Sequence, residues 1–287
     1  MNAFPRDSSV TIIGLGLIGA SLGLALRRAG VRARGMDRSP AARRAALRCG
    51  AVAAADGSPA AACRGAGMVV LCIPVQAVDG CLRRLVPHLR RGAVVTDACS
   101  VKAPVVAAAR RRLPDPARFV GGHPMAGSER SGAAAASASL FRGRTVVLTP
   151  VRGTSPAALR AVESLWRMAG ARMLRLTPSR HDDLVARVSH LPHALAAALT
   201  LSALRPAGAA RVAAGSFRGA TRVAASSPAL WEGILFANRR PLATAAGELG
   251  RALAAVVGAA RRGDRGALRA LLARAARMRR RLGETGC

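Results

Sequence analysis

The chain has no tyrosine, and only five phenylalanines and two tryptophans in 287 residues. That is too few flat rings for the stacking platforms on which single-stranded nucleic acid is held. Lysine is nearly missing too: Lys102 is the one lysine in a Lys+Arg total of 45. Acidic residues number 14, which leaves a formal net charge of +31. Such a charge raises nucleic acid or an acidic membrane surface as a partner. The arginines, however, run through every segment instead of gathering on one. With abundant Ala and Gly, they read as a codon bias toward G and C. Six cysteines form no C-x-x-C pair and no zinc-finger spacing, so neither a disulfide framework nor a structural zinc is signalled. No apolar run reaches the 18 or so uninterrupted residues of a membrane span, and residues 1–9 carry no charged-then-apolar leader. The expectation is a cytoplasmic protein without membrane or nucleic-acid partners.

Hydrophobic residues at 51% against 21% charged describe a chain that folds, and 287 residues call for two domains. From residue 10 the order is strand, glycine turn, helix, strand, over residues 10–14, 18–29 and 31–37. Strand-like runs recur at 68–73, 93–97, 118–121, 145–149 and 172–176, with helix-like stretches between, as in a parallel sheet covered on both faces. After Thr177-Pro178 the strand signals stop. Ala/Leu-rich segments of helical length follow at 182–204, 228–239, 241–263 and 264–282. So much apolar helix surface predicts a homodimer formed through this second part. No segment is left over for a regulatory domain.

Gly14-Leu15-Gly16-Leu17-Ile18-Gly19 follows a predicted strand and opens a predicted helix. In that context the first glycine permits a tight turn, the second lets backbone approach a pyrophosphate, and the third lets helix and strand pack closely. The candidate cofactor residues are Gly14, Leu15, Gly16, Ile18 and Gly19, with Asp37 at the end of the second strand for the ribose hydroxyls. This favours NAD. Arg38 beside Asp37 could take a 2′-phosphate and leaves NADP open. The expected fold class is therefore α/β: a Rossmann-type, doubly wound, mostly parallel sheet in residues 1–178, then an all-helical substrate-binding and dimerisation domain in 179–287.

Of five histidines, His88 reads as a solvated loop residue and His123 as a loop residue just after a strand, at the carboxyl edge of the sheet where ligands of doubly wound folds bind. His181, His190 and His193 cluster where the helices begin. His190-x-x-His193 lacks a third metal ligand nearby in sequence, so a general base with anion-binding companions is expected instead of a metal site.

Five blocks carry a resemblance: Gly14 to Gly19, Asp97-Ala-Cys-Ser-Val-Lys102, Gly121-Gly-His-Pro-Met-Ala-Gly-Ser-Glu129, Val188-Ser-His-Leu-Pro-His193 and Phe217-Arg-Gly-Ala-Thr-Arg222. In this order the chain resembles the prephenate/arogenate dehydrogenases. The resemblance implies oxidative decarboxylation of a cyclohexadienyl acid in tyrosine biosynthesis, with hydride passing to NAD(P). It implies His123 as the base for the C4 hydroxyl, and Ser100 as the hydroxyl that orients both His123 and the reacting oxygen. It further implies Arg222 and His193 as carboxylate ligands, with His193 adding a donor or a positive charge. His190, Arg218 and Glu129 would assist in substrate binding, and Lys102 would pair with Asp97 or cap the cofactor pocket.

One departure stands out. The family usually carries an acid where Gly219 stands, so an alanyl ammonium lacks a partner and prephenate is favoured over arogenate. Cys99 is expected near the nicotinamide, where bound NAD would protect it from alkylation. A 4-amino-4-deoxyprephenate or other hydroxyacid dehydrogenase is the nearest alternative reading. A basic nucleic-acid-binding protein on a degenerate dehydrogenase fold is the distant one.

Overall fold

The computed structural model describes residues 9–126, 130 and 132–284. These residues build one eight-stranded sheet followed by helices. The strand order is β3 (Ala54–Asp56), β2 (Ala33–Met36), β1 (Ser9–Ile13), β4 (Ala66–Leu71), β5 (Val94–Asp97), β6 (Phe119–Pro124), β7 (Thr145–Thr149) and β8 (Arg172–Arg175). All neighbours pair in parallel except β6 and β7, which run antiparallel with His123 opposite Val147. The central strands are apolar without alternation because both faces are covered. Val10, Ile12, Met68 and Val70 lie in one core with α1 (Leu17–Arg28) and α6 (Pro156–Met168). Ile13, Val69 and Leu71 lie in the other with α4 (Val78–Leu85) and α5 (Ala103–Arg112). From β1 the chain steps to β2 on one side and returns to β4 on the other. That reversal leaves a crevice at the carboxyl ends of β1 and β4, the ligand position of such sheets.

The strand β3 was not expected. Its Ala-Ala-Asp core has little intrinsic strand preference, and it exists because Arg34, Gly35 and Met36 of β2 offer it pairing at the sheet edge. β6 also runs further than read, through His123 to Pro124. Two glycines let it do so. A Cβ at Gly121 would lie 2.4 Å from Thr149 Oγ1, and one at Gly122 would lie 2.6 Å from the Asp97 carbonyl. Only bare backbone fits between β5 and β7 here, so His123 is a strand residue and not a loop residue.

The helical part starts where Thr177 accepts a hydrogen bond from the Arg180 amide at 3.2 Å and Pro178 fills the first turn of α7 (Pro178–Val185). These are the usual start signals of a helix. The single helix expected over 182–204 is broken by a π-helical turn, Ala186–His190, before α8 (Leu191–Ala203). Pro192 gives the reason. It has no N–H for the preceding turn, and widening that turn re-registers the ladder around it. A short helix, α9 (Gly215–Thr221), was not expected, since its two glycines blur any periodicity. Then come α10 (Pro228–Ala237), α11 (Arg239–Arg261) and α12 (Arg265–Glu284). Leu253, Val257, Leu272 and Met278 on the last two are solvent-exposed. Residues 178–203 and α11 each reach a mean hydropathy of 1.2, enough by length and composition alone to cross a membrane, which a search for uninterrupted apolar runs does not see.

Candidate active site

The glycine turn is tight for a steric reason. Gly14 has φ +93°, and a Cβ there would lie 2.3 Å from the Cys72 carbonyl at the end of β4. A Cβ on Gly19 would strike the Gly14 carbonyl at 1.9 Å, so this glycine brings α1 onto β1. Gly16 is different, because a Cβ there would meet nothing within 4 Å. It opens onto the crevice and caps α1 without a side-chain hydrogen bond, leaving first-turn amides for an anion. The crevice has a volume of about 480 Å³ and is walled by Gly14, Gly16, Asp37, Ile73, Pro74 and Gln76, with Arg38 and Arg84 at its rim. Asp37 Oδ2 accepts from the Leu15 amide at 2.9 Å and Oδ1 from the Ser39 amide at 2.8 Å, which fixes the carboxylate in place. Leu15 therefore serves by holding Asp37. Its own side chain is in the core, as Ile18 is partly, and neither residue lines the crevice. The glycines, the free helix amides and the anchored carboxylate fit a dinucleotide.

On the same edge of the sheet, two strands along, lies His123. It is buried, and its Nδ1 lies 2.8 Å from His181 Nε2 on α7. His181 Nδ1 in turn lies 2.7 Å from Asp182 Oδ1. Asp182 also accepts from the Lys102 amide at 2.7 Å and the Ala103 amide at 2.8 Å, so a carboxylate of the second domain caps α5 of the first. Burial, then the nearby charges of His181, Lys102 and His190, hold the His123 pKa well below the ordinary histidine value. At neutral pH the ring is uncharged, as a base must be. The expected Ser100–His123 hydrogen bond is absent among the described residues. His181 occupies the Nδ1 side of the ring, which leaves half-buried Ser100 no hydrogen bond on that side.

Lys102 does pair with Asp97, through a buried ion pair, and also donates to the Gly122 carbonyl at 2.6 Å. Its side chain is fully buried, so the idea that it caps the cofactor pocket is corrected: it ties β5 to β6 under the site. The arrangement also explains why arginine did not replace it, since the space admits a compact ammonium and not a planar fork. Asp97 is further satisfied by the amides of Cys99 at 2.9 Å and Gly122 at 3.1 Å. Cys99 is buried as well, its thiol against the Ile73 carbonyl at 3.3 Å, and burial first, with Asp97 second, raises its pKa well above the usual thiol value. The expected reactive thiol is thus inert.

In the helical part, His190 and His193 are both buried around Trp231 of α10, the His193 ring stacked on the indole with centroids 3.6 Å apart. His190 Nδ1 lies 2.9 Å from Asn238 Nδ2, and burial lowers its pKa to about 4. Burial also lowers the His193 pKa, so this ring offers a neutral donor and not the positive charge allowed for by the sequence. Its Nδ1 is buried without a hydrogen-bond partner among the described residues. Arg218 on α9 and Arg222 just after it are exposed, with Arg218 Nε bonded to the Ala213 carbonyl at 3.1 Å. Neither bonds to His123, His181 or Asp182 among the described residues. Glu129 lies outside the described residues.

With this geometry in hand, comparison with known proteins is direct. A family model described as prephenate dehydrogenase, nucleotide-binding domain, matches residues 22–175, and one described as prephenate dehydrogenase, dimerization domain, matches residues 177–274. The chain belongs to the prephenate dehydrogenase family. It is 36% identical over 239 residues to a prephenate dehydrogenase of Bacillus subtilis, which covers 80% of this chain and 64% of that one. It therefore spans less than two thirds of the Bacillus protein. A cyclohexadienyl dehydrogenase of Zymomonas mobilis is 37% identical over 238 residues, 80% of each chain. Among solved structures, prephenate dehydrogenase from A. aeolicus in complex with hydroxyphenyl propionate and NAD+ superimposes with a TM-score of 0.90 at 30% identity, covering 96% of this chain and 98% of that one.

Within this prephenate dehydrogenase family member, sequence reasoning passed over four residues that the fold draws in. His181 was seen as part of a cluster but given no role, and Asp182, Asn238 and Arg84 gave no signal. A His-Asp pair on a helix start is a usable cue only once its partner strand is known.

Proposed function

We propose that the chain oxidises and decarboxylates prephenate to 4-hydroxyphenylpyruvate, with NAD as hydride acceptor, as a cytoplasmic enzyme of tyrosine formation. The observation that supports this most is a buried, neutral His123 on the sheet edge that also carries the glycine turn and Asp37. When bound, the nicotinamide supplies the acceptor for the hydride that leaves C4 of the ring. His123 Nε2 takes the C4 hydroxyl proton as that carbon becomes a carbonyl. Loss of the C1 carboxylate as carbon dioxide sends its bonding electrons through the ring to the C4 oxygen, and His123 returns the proton to the phenolate. The proton count closes to zero. Neutral His193 and the Arg222 guanidinium are the candidates for the side-chain carboxylate, with Arg218, His190 and Glu129 in support. Ser100 remains the candidate hydroxyl on the reacting oxygen.

Gly219 leaves open space where an acid would meet an alanyl ammonium, which favours prephenate over arogenate. Arg38 and Arg84 together at the crevice rim favour a second reading of the cofactor, in which NADP is also used. A homodimer follows from the match to a dimerization domain and from the exposed apolar side chains of α11 and α12. The two domains divide near Thr177. The test is formation of reduced nicotinamide with prephenate, arogenate and the 4-amino analogue, each with NAD and NADP. Prephenate should give the highest kcat/KM, and His123→Asn should lower kcat by about 10²–10⁴-fold. Turnover undiminished in that variant would sink the proposal.

A further inference from the structure

We infer that His181 and Asp182 are positioning residues that decide which nitrogen of His123 is free, and that they do so only when the two domains are docked. The inference rests on the reading of His123 as the base. It is forced by donor and acceptor bookkeeping. The amides of Lys102 and Ala103 can only donate, so both Asp182 oxygens that they meet, at 2.7 and 2.8 Å, are acceptors. His181 Nδ1, 2.7 Å from the same carboxylate, must then carry a proton. A neutral imidazole has one N–H, so His181 Nε2 is left as an acceptor. Across 2.8 Å from it, His123 Nδ1 must donate, because two lone pairs facing each other in a buried site would forfeit the bond and leave both atoms unsatisfied. The one lone pair remaining is on His123 Nε2. The other tautomer would present an N–H to the substrate hydroxyl and could not accept its proton.

The four groups come from both sides of the domain boundary. His123 is on β6, and the capped amides open α5. His181 and Asp182 are on α7 of the helical part, and Asn238, between α10 and α11, donates to the Asp182 carbonyl at 2.8 Å. A movement that lifts α7 off α5 removes the acceptor from His123 and uncaps α5 in the same step. The proton acquired in catalysis sits at one end of a row that ends in a carboxylate, which stabilises the imidazolium through His181. The charged or titratable groups facing His123 are His181 on α7, His190 in the π turn, and Lys102 at the start of α5.

The decisive experiment is nitrogen NMR of the full-length protein labelled in histidine, with each of the five histidines assigned by substitution. At neutral pH the wild-type His123 signals should be those of a neutral ring protonated on Nδ1. In His181→Phe and Asp182→Asn the two tautomers should mix. In both variants kcat with prephenate should fall, by up to about 10⁴-fold as when a catalytic histidine loses its tautomer-fixing partner, with KM for prephenate within a few-fold. In His181→Phe the acid limb of kcat/KM should move to lower pH, because the neutral acceptor that stabilises the His123 imidazolium is gone. A purely structural rivet between the domains would instead reduce the amount of folded enzyme and leave tautomer and pH limb where they are. Wild-type His123 protonated on Nε2, or folded variants with unaltered kcat, would overturn the inference. If a variant does not fold, the wild-type spectrum still decides. Absence of prephenate turnover by the wild type would defeat the proposed function without touching the tautomer result.

Discussion

Lys102→Met isolates the contribution of the buried ion pair beneath the site. The wild-type ammonium is fully buried, paired with Asp97 and bonded to the Gly122 carbonyl at 2.6 Å. Methionine fills nearly the same volume, so packing is preserved and the change is electrostatic. It leaves Asp97 as a buried carboxylate with only the Cys99 and Gly122 amides to stabilise it. Removing one partner of a buried pair destabilises by about 3–5 kcal/mol. With a urea dependence near the upper end of about 1–3 kcal/mol/M for a chain of this size, the unfolding midpoint should fall by about 1–2 M. Asp97→Asn combined with Lys102→Met removes both charges, so the double variant should be clearly more stable than the sum of the single losses predicts, with a coupling of at least about 1 kcal/mol. The assay is equilibrium urea unfolding of all four members of the cycle at equal protein concentration. A midpoint shift under about 0.3 M for Lys102→Met, which at that slope is about 1 kcal/mol or less, would refute the reasoning. So would strict additivity in the cycle. Lys102→Arg, which overpacks the same space, should lose about 1–3 kcal/mol and lower kcat.

Asp37→Ala removes the carboxylate held for the ribose. It should raise KM for NAD about tenfold or more, on the basis of about 1.5–3 kcal/mol per hydrogen bond to a charged group, and change kcat at saturation little; an unchanged KM would disprove the assignment. The His190 pKa of about 4 lies below the ordinary histidine value of 6.5, so its stabilising effect is complete above pH 6.5 and is lost as pH falls toward 4. The limiting loss is about 3 kcal/mol. His190→Gln should flatten the fall in urea midpoint over that window, and equal slopes in the two proteins would count against it. Iodoacetamide should label exposed Cys49 and leave Cys99 unlabelled whether or not NAD is present; cofactor-dependent labelling of Cys99 would contradict its burial.

The doubly wound sheet and the change to helices after Thr177 were legible because they are written in local signals. Continuous apolar runs mark strands buried on both faces, and Thr-Pro and Gly-x-Gly-x-x-Gly mark helix starts. β3 escaped because Ala-Ala-Asp becomes a strand only through its neighbour. The π turn escaped because the effect of Pro192 is felt a full turn upstream. His123 was recognisable as a residue by its Gly-Gly-His-Pro setting, and the two glycines proved to be the steric condition for extending β6 between Asp97 and Thr149.

What the sequence determined by itself was the inventory: a dinucleotide turn with its acid, one imidazole at a sheet edge, one lysine that arginine had not displaced. Partnership was decided only in three dimensions. His181 is 58 residues from His123 and Asp182 is 80 from Lys102, and no periodicity within α7 announces that they will meet β6 and cap α5. Hydrogen bonds and ion pairs depend on distances of a few ångströms between groups remote along the chain, and those distances exist only once the helical part has packed against the sheet.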